Sequence, residues 1–136
     1  MAASGLRVGD ALALTRDQAL NGAPVRAQKT GKPMLLDLPV SLTQRIREYM
    51  RPCDVYVFAS RDPRRPGKPI TRQTAAAAIR RAAIDIKCPE ITCHSARKLF
   101  AYNLWRATGD VAAVQRALQH TNLATTALYL LSPRVG

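Results

Sequence analysis

The sequence is short of several things, and each shortage excludes a class of protein. No run of eighteen apolar residues occurs in its 136, so no membrane span is expected. The opening MAASGLRVGD has neither the basic nor the apolar region of a secretory signal. Cysteine is sparse. Cys53, Cys88 and Cys93 are odd in number and follow no framework spacing, which points to a reduced, cytosolic setting. Cys88, Cys93 and His94 read C-x4-C-H, a spacing outside the common zinc motifs, and no second ligand pair follows. No metal is expected, and the thiols read as buried and structural. Internal repeats and low-complexity tracts are missing too. Acidic residues are few: nine Asp and Glu stand against 21 Lys and Arg, 16 of them Arg, for a net charge of +12. Such an excess favours a polyanionic partner, nucleic acid ahead of a membrane surface.

What is present suits one domain, since 47% of the residues are hydrophobic, enough for a core at this length. Residues 5–20 are expected to open with a helix carrying Leu6, Ala11, Leu12 and Leu14, and Asn21-Gly22 marks a turn. Residues 24–28 and 34–38 read as the arms of a β-hairpin with a basic tip, Lys29-Thr30-Gly31-Lys32, ended by Pro39. Ser41 can cap a helix over 42–50 with Leu42, Ile46 and Met50 along one face. DVYVFA, residues 54–59, reads as a short strand. The Pro-, Gly- and Arg-rich stretch 60–69 is a loop bearing Arg61, Arg64, Arg65 and Lys68. Thr71 can cap a helix over 72–84 with Ala75, Ala78, Ile79 and Ala82 inside. Helices over 95–107, 110–119 and 122–131 complete a mainly α chain with a small antiparallel β-sheet, an α+β class. Gly109 suits the end of the first of these three.

The chemistry gathers between His94 and Tyr129. His94 and Arg97 are three apart, His120 follows Arg97 by twenty-three, and Tyr129 follows His120 by nine. Val111, Val114 and Leu118 form one helical stripe, and Leu123, Ala127 and Leu130 another. Tyr129 stands one residue off the second stripe, so it borders the core rather than filling it. Two imidazoles, a guanidinium and a phenol suit chemistry on a phosphodiester, in which Arg binds phosphate oxygens and a side-chain oxygen attacks phosphorus. Each residue also has a plainer reading. Arg7 could be a solvated helix charge, His94 a helix cap, His120 a core histidine, Arg97 a partner of Glu90 or Asp110, and loop 60–69 merely solvated.

Taken together, GLRVGDALAL around Arg7, QKTGKPMLLDLP around Lys29, HSAR at 94–97, LQH ending at His120, and Tyr129 resemble the catalytic domain of the tyrosine recombinases, the phage integrase family. The resemblance runs from residue 5 to 131. Lys29, rather than Lys32, matches the family's mobile lysine. Three positions depart from the pattern. Ala96 replaces a common Leu, Asp10 a Glu, and Gln119 a Gly. If position 119 keeps a left-handed backbone, Gln costs about 1 kcal/mol relative to Gly.

The resemblance implies site-specific DNA recombination, by strand cleavage and rejoining through a 3′-phosphotyrosyl intermediate. Arg7, Lys29, His94, Arg97, His120 and Tyr129 would be catalytic, and Arg61, Arg64, Arg65, Lys68 and Arg72 would contact DNA. It implies no cofactor. Its partners would be double-stranded DNA and further recombinase protomers, a tetramer in synapsis, in the cytoplasm of a bacterium or phage-infected cell. Residues 1–136 would be a partial catalytic domain, without the family's N-terminal DNA-binding domain. Arg7 then arrives before any element that could shelter it, and its segment is expected to be mobile. A type IB topoisomerase-like enzyme and a non-catalytic DNA-binding remnant of an integrase are the alternatives.

Overall fold

The computed structural model describes residues 4–120 and 122–131, and the side chains of Leu123, Leu128, Tyr129 and Leu131 fall outside the described residues. The chain is mainly helical with one two-stranded antiparallel sheet, as the sequence pattern predicts. It forms two compact units, one of Val8–Ala75 and one joining Met1–Arg7 to Ala76–Gly136.

In the first unit the expected opening helix is two helices, α1 (Val8–Leu12) and α2 (Arg16–Leu20). Thr15 makes the break. Its hydroxyl accepts from Gln18 N at 3.2 Å while Gln18 Oε1 accepts from Thr15 N at 3.0 Å. This reciprocal cap satisfies backbone donors at the start of α2. Leu6 and Leu14 are buried as expected but lie outside both helices.

The hairpin forms with β1 (Val25–Arg26) and β2 (Pro33–Met34) in the register Val25↔Met34 and Arg26↔Pro33. Its tip is closed by Ala27 N to Lys32 O, 2.9 Å, and Gly31 N to Ala27 O, 2.7 Å. Gly31 takes a φ of +68, which a side chain would resist. The arms are shorter than the pattern suggests; Leu35 is 96% exposed.

Three further expectations are corrected. The helix α3 (Val40–Tyr49) starts ahead of Ser41, with Pro39 as its cap residue; Pro39 O accepts from Leu42 N and Thr43 N at 2.9 and 3.1 Å. Its inner face, Leu42 and Ile46 leading to buried Met50, is the one expected. No strand forms over 54–59, where single bridges Thr15↔Tyr56 and Ala59↔Pro69 stand instead. Asp54 explains this: Oδ2 accepts from Arg51 N at 2.8 Å, and the two oxygens take the Arg61 guanidinium at 2.8 and 3.0 Å. Those bonds fold the segment into turns. In α4 (Arg72–Asp85) Ala75 and Ala83 are buried and Ile79 half-buried, whereas Ala78 and Ala82 are exposed. The inward stripe follows an i, i+4, i+8 line. Thr71 does cap this helix, accepting from Thr74 N at 3.1 Å.

In the second unit, α5 (Cys93–Thr108), α6 (Val111–Leu118) and α7 (Leu123–Leu131) pack on one another. Gly109 ends α5 at φ 65, and Asp110 Oδ1 caps α6 by accepting from Ala112 N at 2.9 Å. Ala101, Val114 and Leu118 form the core, with Phe100, Leu104 and Leu130 against them. Burying side chains such as Val114 and Leu118 stabilises by about 1.5–3 kcal/mol each.

Candidate functional site

His94 and Arg97 sit three residues apart in the first two turns of α5, hence on one face. That helix start is held by Thr92 N donating to Ser95 Oγ at 3.0 Å. Arg97 is 4% exposed. Its Nη2 donates to Leu118 O, at the end of α6, at 2.6 Å. A helix leaves its last carbonyls without internal partners and carries partial negative charge there, so a guanidinium fits. Of the acidic partners weighed for Arg97, Asp110 instead caps α6 and lies 3.6 Å from Arg116.

Just past Leu118 the chain reverses at Gln119, whose φ of 56 and ψ of 36 are left-handed. The reversal is pinned on both sides of Gln115. His120 N donates to Gln115 O at 3.1 Å, and Gln115 Nε2 donates to His120 O at 3.2 Å. The His120 ring is held from α7: Nδ1 lies 2.9 Å from Thr126 Oγ1. Tyr129 lies on the same helix, three residues further along, and its side chain is outside the described residues.

The His94 ring has its pKa lowered, first by desolvation and then by the positive charges of Lys98 and Arg97. Its neutral form, the one that can accept a proton, is therefore favoured.

Arg7 was expected to arrive before any element that could shelter it, and it is instead half-buried. Leu6 is buried, and Gly5 lies against Phe100 of α5; a Cβ there would sit 2.5 Å from Cδ1 of that ring. Gly5 also has φ +69. The glycine thus lets the backbone before Arg7 seat on an aromatic face. Arg7, His94, Arg97, His120 and α7 all belong to this one unit.

The other unit carries the remaining candidate site residues. Lys29 is exposed at the hairpin tip. Its neighbour Gln28 donates its backbone N–H to Asp10 Oδ1 at 2.9 Å, tying the hairpin to α1. Arg72 lies over Gly9: a Cβ there would overlap the guanidinium and sit 2.9 Å from Gln28 Oε1. Arg61 is engaged with Asp54, whose carboxyl is lowered from its usual range chiefly by that hydrogen bond. Arg64 pairs with Asp62 at 2.9 Å, and Arg65 Nη2 reaches Pro69 O at 3.4 Å. Arg64, Arg65, Lys68 and Arg72 are exposed.

Sequence reasoning missed Thr126 and Gln28. A polar residue six past His120 and four before core Leu130 was the available signal for the first. The thiols, expected to be buried, are not: Cys53 is exposed and Cys88 and Cys93 are half-buried. Among the described residues there is no group of three potential metal ligands, and no helix is long and apolar enough to cross a membrane.

Comparison with known proteins gives the family and the fold. Residues 1–133 match the family model described as the phage integrase family. A Bacillus subtilis (strain 168) protein described as the probable integrase/recombinase YoeC is 34% identical, over 93% of this chain and 71% of its own length. The crystal structure of XerA recombinase superposes with a TM-score of 0.74 at 25% identity, covering 96% of this chain and 50% of that one. XerH site-specific recombinase bound to its palindromic difH substrate gives 0.73 at 20% identity, covering 94% of this chain and 39% of that one, a likeness of fold. The fold is thus that of a tyrosine recombinase catalytic domain, and the chain spans half or less of these two solved proteins.

Proposed function

Because the chain belongs to the phage integrase family, we propose that it is the DNA-cleaving part of a site-specific recombinase. The observation that supports this is that Arg7, His94, Arg97, His120 and the helix of Tyr129 belong to one compact unit, in which Arg97 is bonded to the end of α6 and His120 to α7.

In this reading the Tyr129 oxygen attacks a backbone phosphorus as the bond to the 5′-oxygen breaks. The products are a 3′-phosphotyrosyl link and a 5′-hydroxyl. The tyrosine proton passes to His94, whose lowered pKa keeps it neutral and able to accept. Lys29 gives a proton to the departing 5′-oxygen. Arg7 and Arg97 hold the non-bridging oxygens as charge builds at phosphorus, where an Arg fork matches two oxygens at once. His120 hydrogen-bonds the same phosphate. The covalent intermediate keeps the phosphoester energy, so rejoining by reverse attack needs neither metal nor nucleotide. Double-stranded DNA is the proposed substrate, supported by the net charge of +12 and by a neighbour of like fold bound to its difH substrate. Arg64, Arg65, Lys68 and Arg72 are proposed phosphate contacts. Further protomers, four in synapsis, would be its partners.

Tyr129→Phe tests the scheme. The unaltered chain should be trapped covalently on a duplex nicked beside the cleavage point. The Phe variant, keeping the ring and lacking the nucleophile, should bind the duplex equally and form no adduct. A denaturant-resistant adduct in the Phe variant would exclude Tyr129 as nucleophile.

A further inference from the structure

Thr126 carries a second inference, which rests on the reading just given. It lies in α7, 0% exposed, in the middle of a stripe where the sequence offers apolar residues on either side. A helix-interior threonine buried to this extent commonly turns its hydroxyl back to a carbonyl of its own helix. Here, among the described residues, the hydrogen-bond partner of Oγ1 is Nδ1 of His120, at 2.9 Å.

That pairing decides the direction of the bond. A hydroxyl has one proton to give, and a buried donor left unmatched is costly. Were Nδ1 protonated, it would donate to Oγ1, and the threonine proton would have no acceptor among the described residues. With Nδ1 unprotonated, the hydroxyl donates to it and nothing is left over. The neutral ring then carries its proton on Nε2, because one hydrogen bond on an imidazole fixes the role of the other nitrogen.

We infer that Thr126 is a positioning residue: it orients the His120 ring from α7 and fixes the Nε2–H tautomer, which makes His120 a hydrogen-bond donor to a non-bridging phosphate oxygen. The same helix bears Tyr129, three residues on. One turn of α7 thus supplies both the proposed nucleophile and the hydroxyl that sets the donor, so a shift of the helix would carry the two together.

The test uses the whole chain, 15N-labelled in its histidine rings, at a pH where they are neutral. The chain has two histidines, and His120 signals are identified by their loss in His120→Gln. The unaltered chain should show His120 with a protonated Nε2 and an unprotonated Nδ1. Thr126→Val, of equal shape without the hydroxyl, should populate the other tautomer, and Thr126→Ser should restore the original spectrum. In covalent trapping on the nicked duplex, Thr126→Val should slow by about tenfold to a hundredfold, as for other partners that orient histidines, with Thr126→Ser within about threefold of the unaltered chain. A protonated Nδ1 in the unaltered chain, an unchanged spectrum in Thr126→Val, or a serine variant as slow as the valine variant would each overturn the inference. Should Thr126→Val fail to fold, the spectrum of the unaltered chain and the serine variant still decide. Should the unaltered chain form no adduct, the recombinase reading falls, while the ring spectrum alone decides the tautomer.

Discussion

Arg97 reaches from α5 to the carbonyl of Leu118, 21 residues on, at 2.6 Å. The bond crosses the core of the helical unit and ends on the last residue of α6. One guanidinium therefore ties two helices together and is itself aligned by them. The residue proposed to hold phosphate is oriented by a structural bond, so its removal should be felt in stability as well as in chemistry. Arg97→Ala leaves the Leu118 carbonyl without this donor and should destabilise by about 1–3 kcal/mol. Urea denaturation checks this. A variant as stable as the unaltered chain would mean the bond contributes nothing to the fold.

Gln119 follows immediately, in a left-handed conformation at φ 56. A Cβ is disfavoured there, and Gly would relieve the strain at some cost in unfolded-chain entropy. Gln119→Gly should therefore stabilise the chain by up to about 1 kcal/mol. The urea midpoint should rise with an unchanged slope. A lower midpoint would show that the Gln side chain contributes more than its backbone strain costs.

The order of elements from residue 72 onward was legible because its signals are local: Thr71, Gly109 and the stripe Val111, Val114, Leu118. The same holds for the hairpin, whose tip glycine is visible in the letters. Residues 5–20 and 54–59 were misread because side-chain bonds, most of them local, overrode the hydrophobic pattern. Thr15 caps one helix and bridges Tyr56, while Asp54 draws Arg61 back on itself. Five of the six proposed catalytic positions, Arg7, His94, Arg97, His120 and Tyr129, fall in one unit, but the sequence could not show what holds them. Gly5 carries no visible reason in the letters until the Phe100 ring is seen beside it. Thr126 stands on the apolar stripe of α7, and nothing in the letters shows that its hydroxyl meets His120.

His94 should titrate below its ordinary 6.5, since burial and then Lys98 and Arg97 disfavour the imidazolium. Lys98→Met should raise its pKa only partway, because burial is the larger cause and Arg97 remains. The sign for stability follows. Between 6.5 and the lower folded value the unfolded chain binds more protons, so stability from this group is present above 6.5 and lost as pH falls to the folded value, with no further loss below it. NMR titration of the ring in the two proteins measures the shift. A pKa at or above 6.5 in the unaltered chain would show that burial and the two cations do not govern the His94 ring.

The basic loop should separate into two kinds of arginine and lysine. Arg61 serves Asp54, a carboxylate with 6% side-chain exposure, through two bonds. Arg65 and Lys68 are exposed and make no ion pair among the described residues. Arg65→Gln with Lys68→Gln should leave the melting temperature nearly unchanged. The same pair should flatten the log–log salt dependence of DNA binding by about 0.9 for each phosphate that is no longer neutralised. Arg61→Gln should do the reverse, lowering the melting temperature at neutral pH with little change in the salt slope. Its stability deficit should also depend on pH. The Asp54 carboxyl is held below 3.8 chiefly by Arg61, so the stabilisation is full above 3.8 and disappears as pH falls through the lower folded value. The unaltered and Arg61→Gln chains should therefore converge in stability at strongly acidic pH. Equal salt slopes in all three proteins would show that this loop does not track phosphates. A stable Arg61→Gln chain with a flattened slope would move Arg61 from holding the loop to holding DNA.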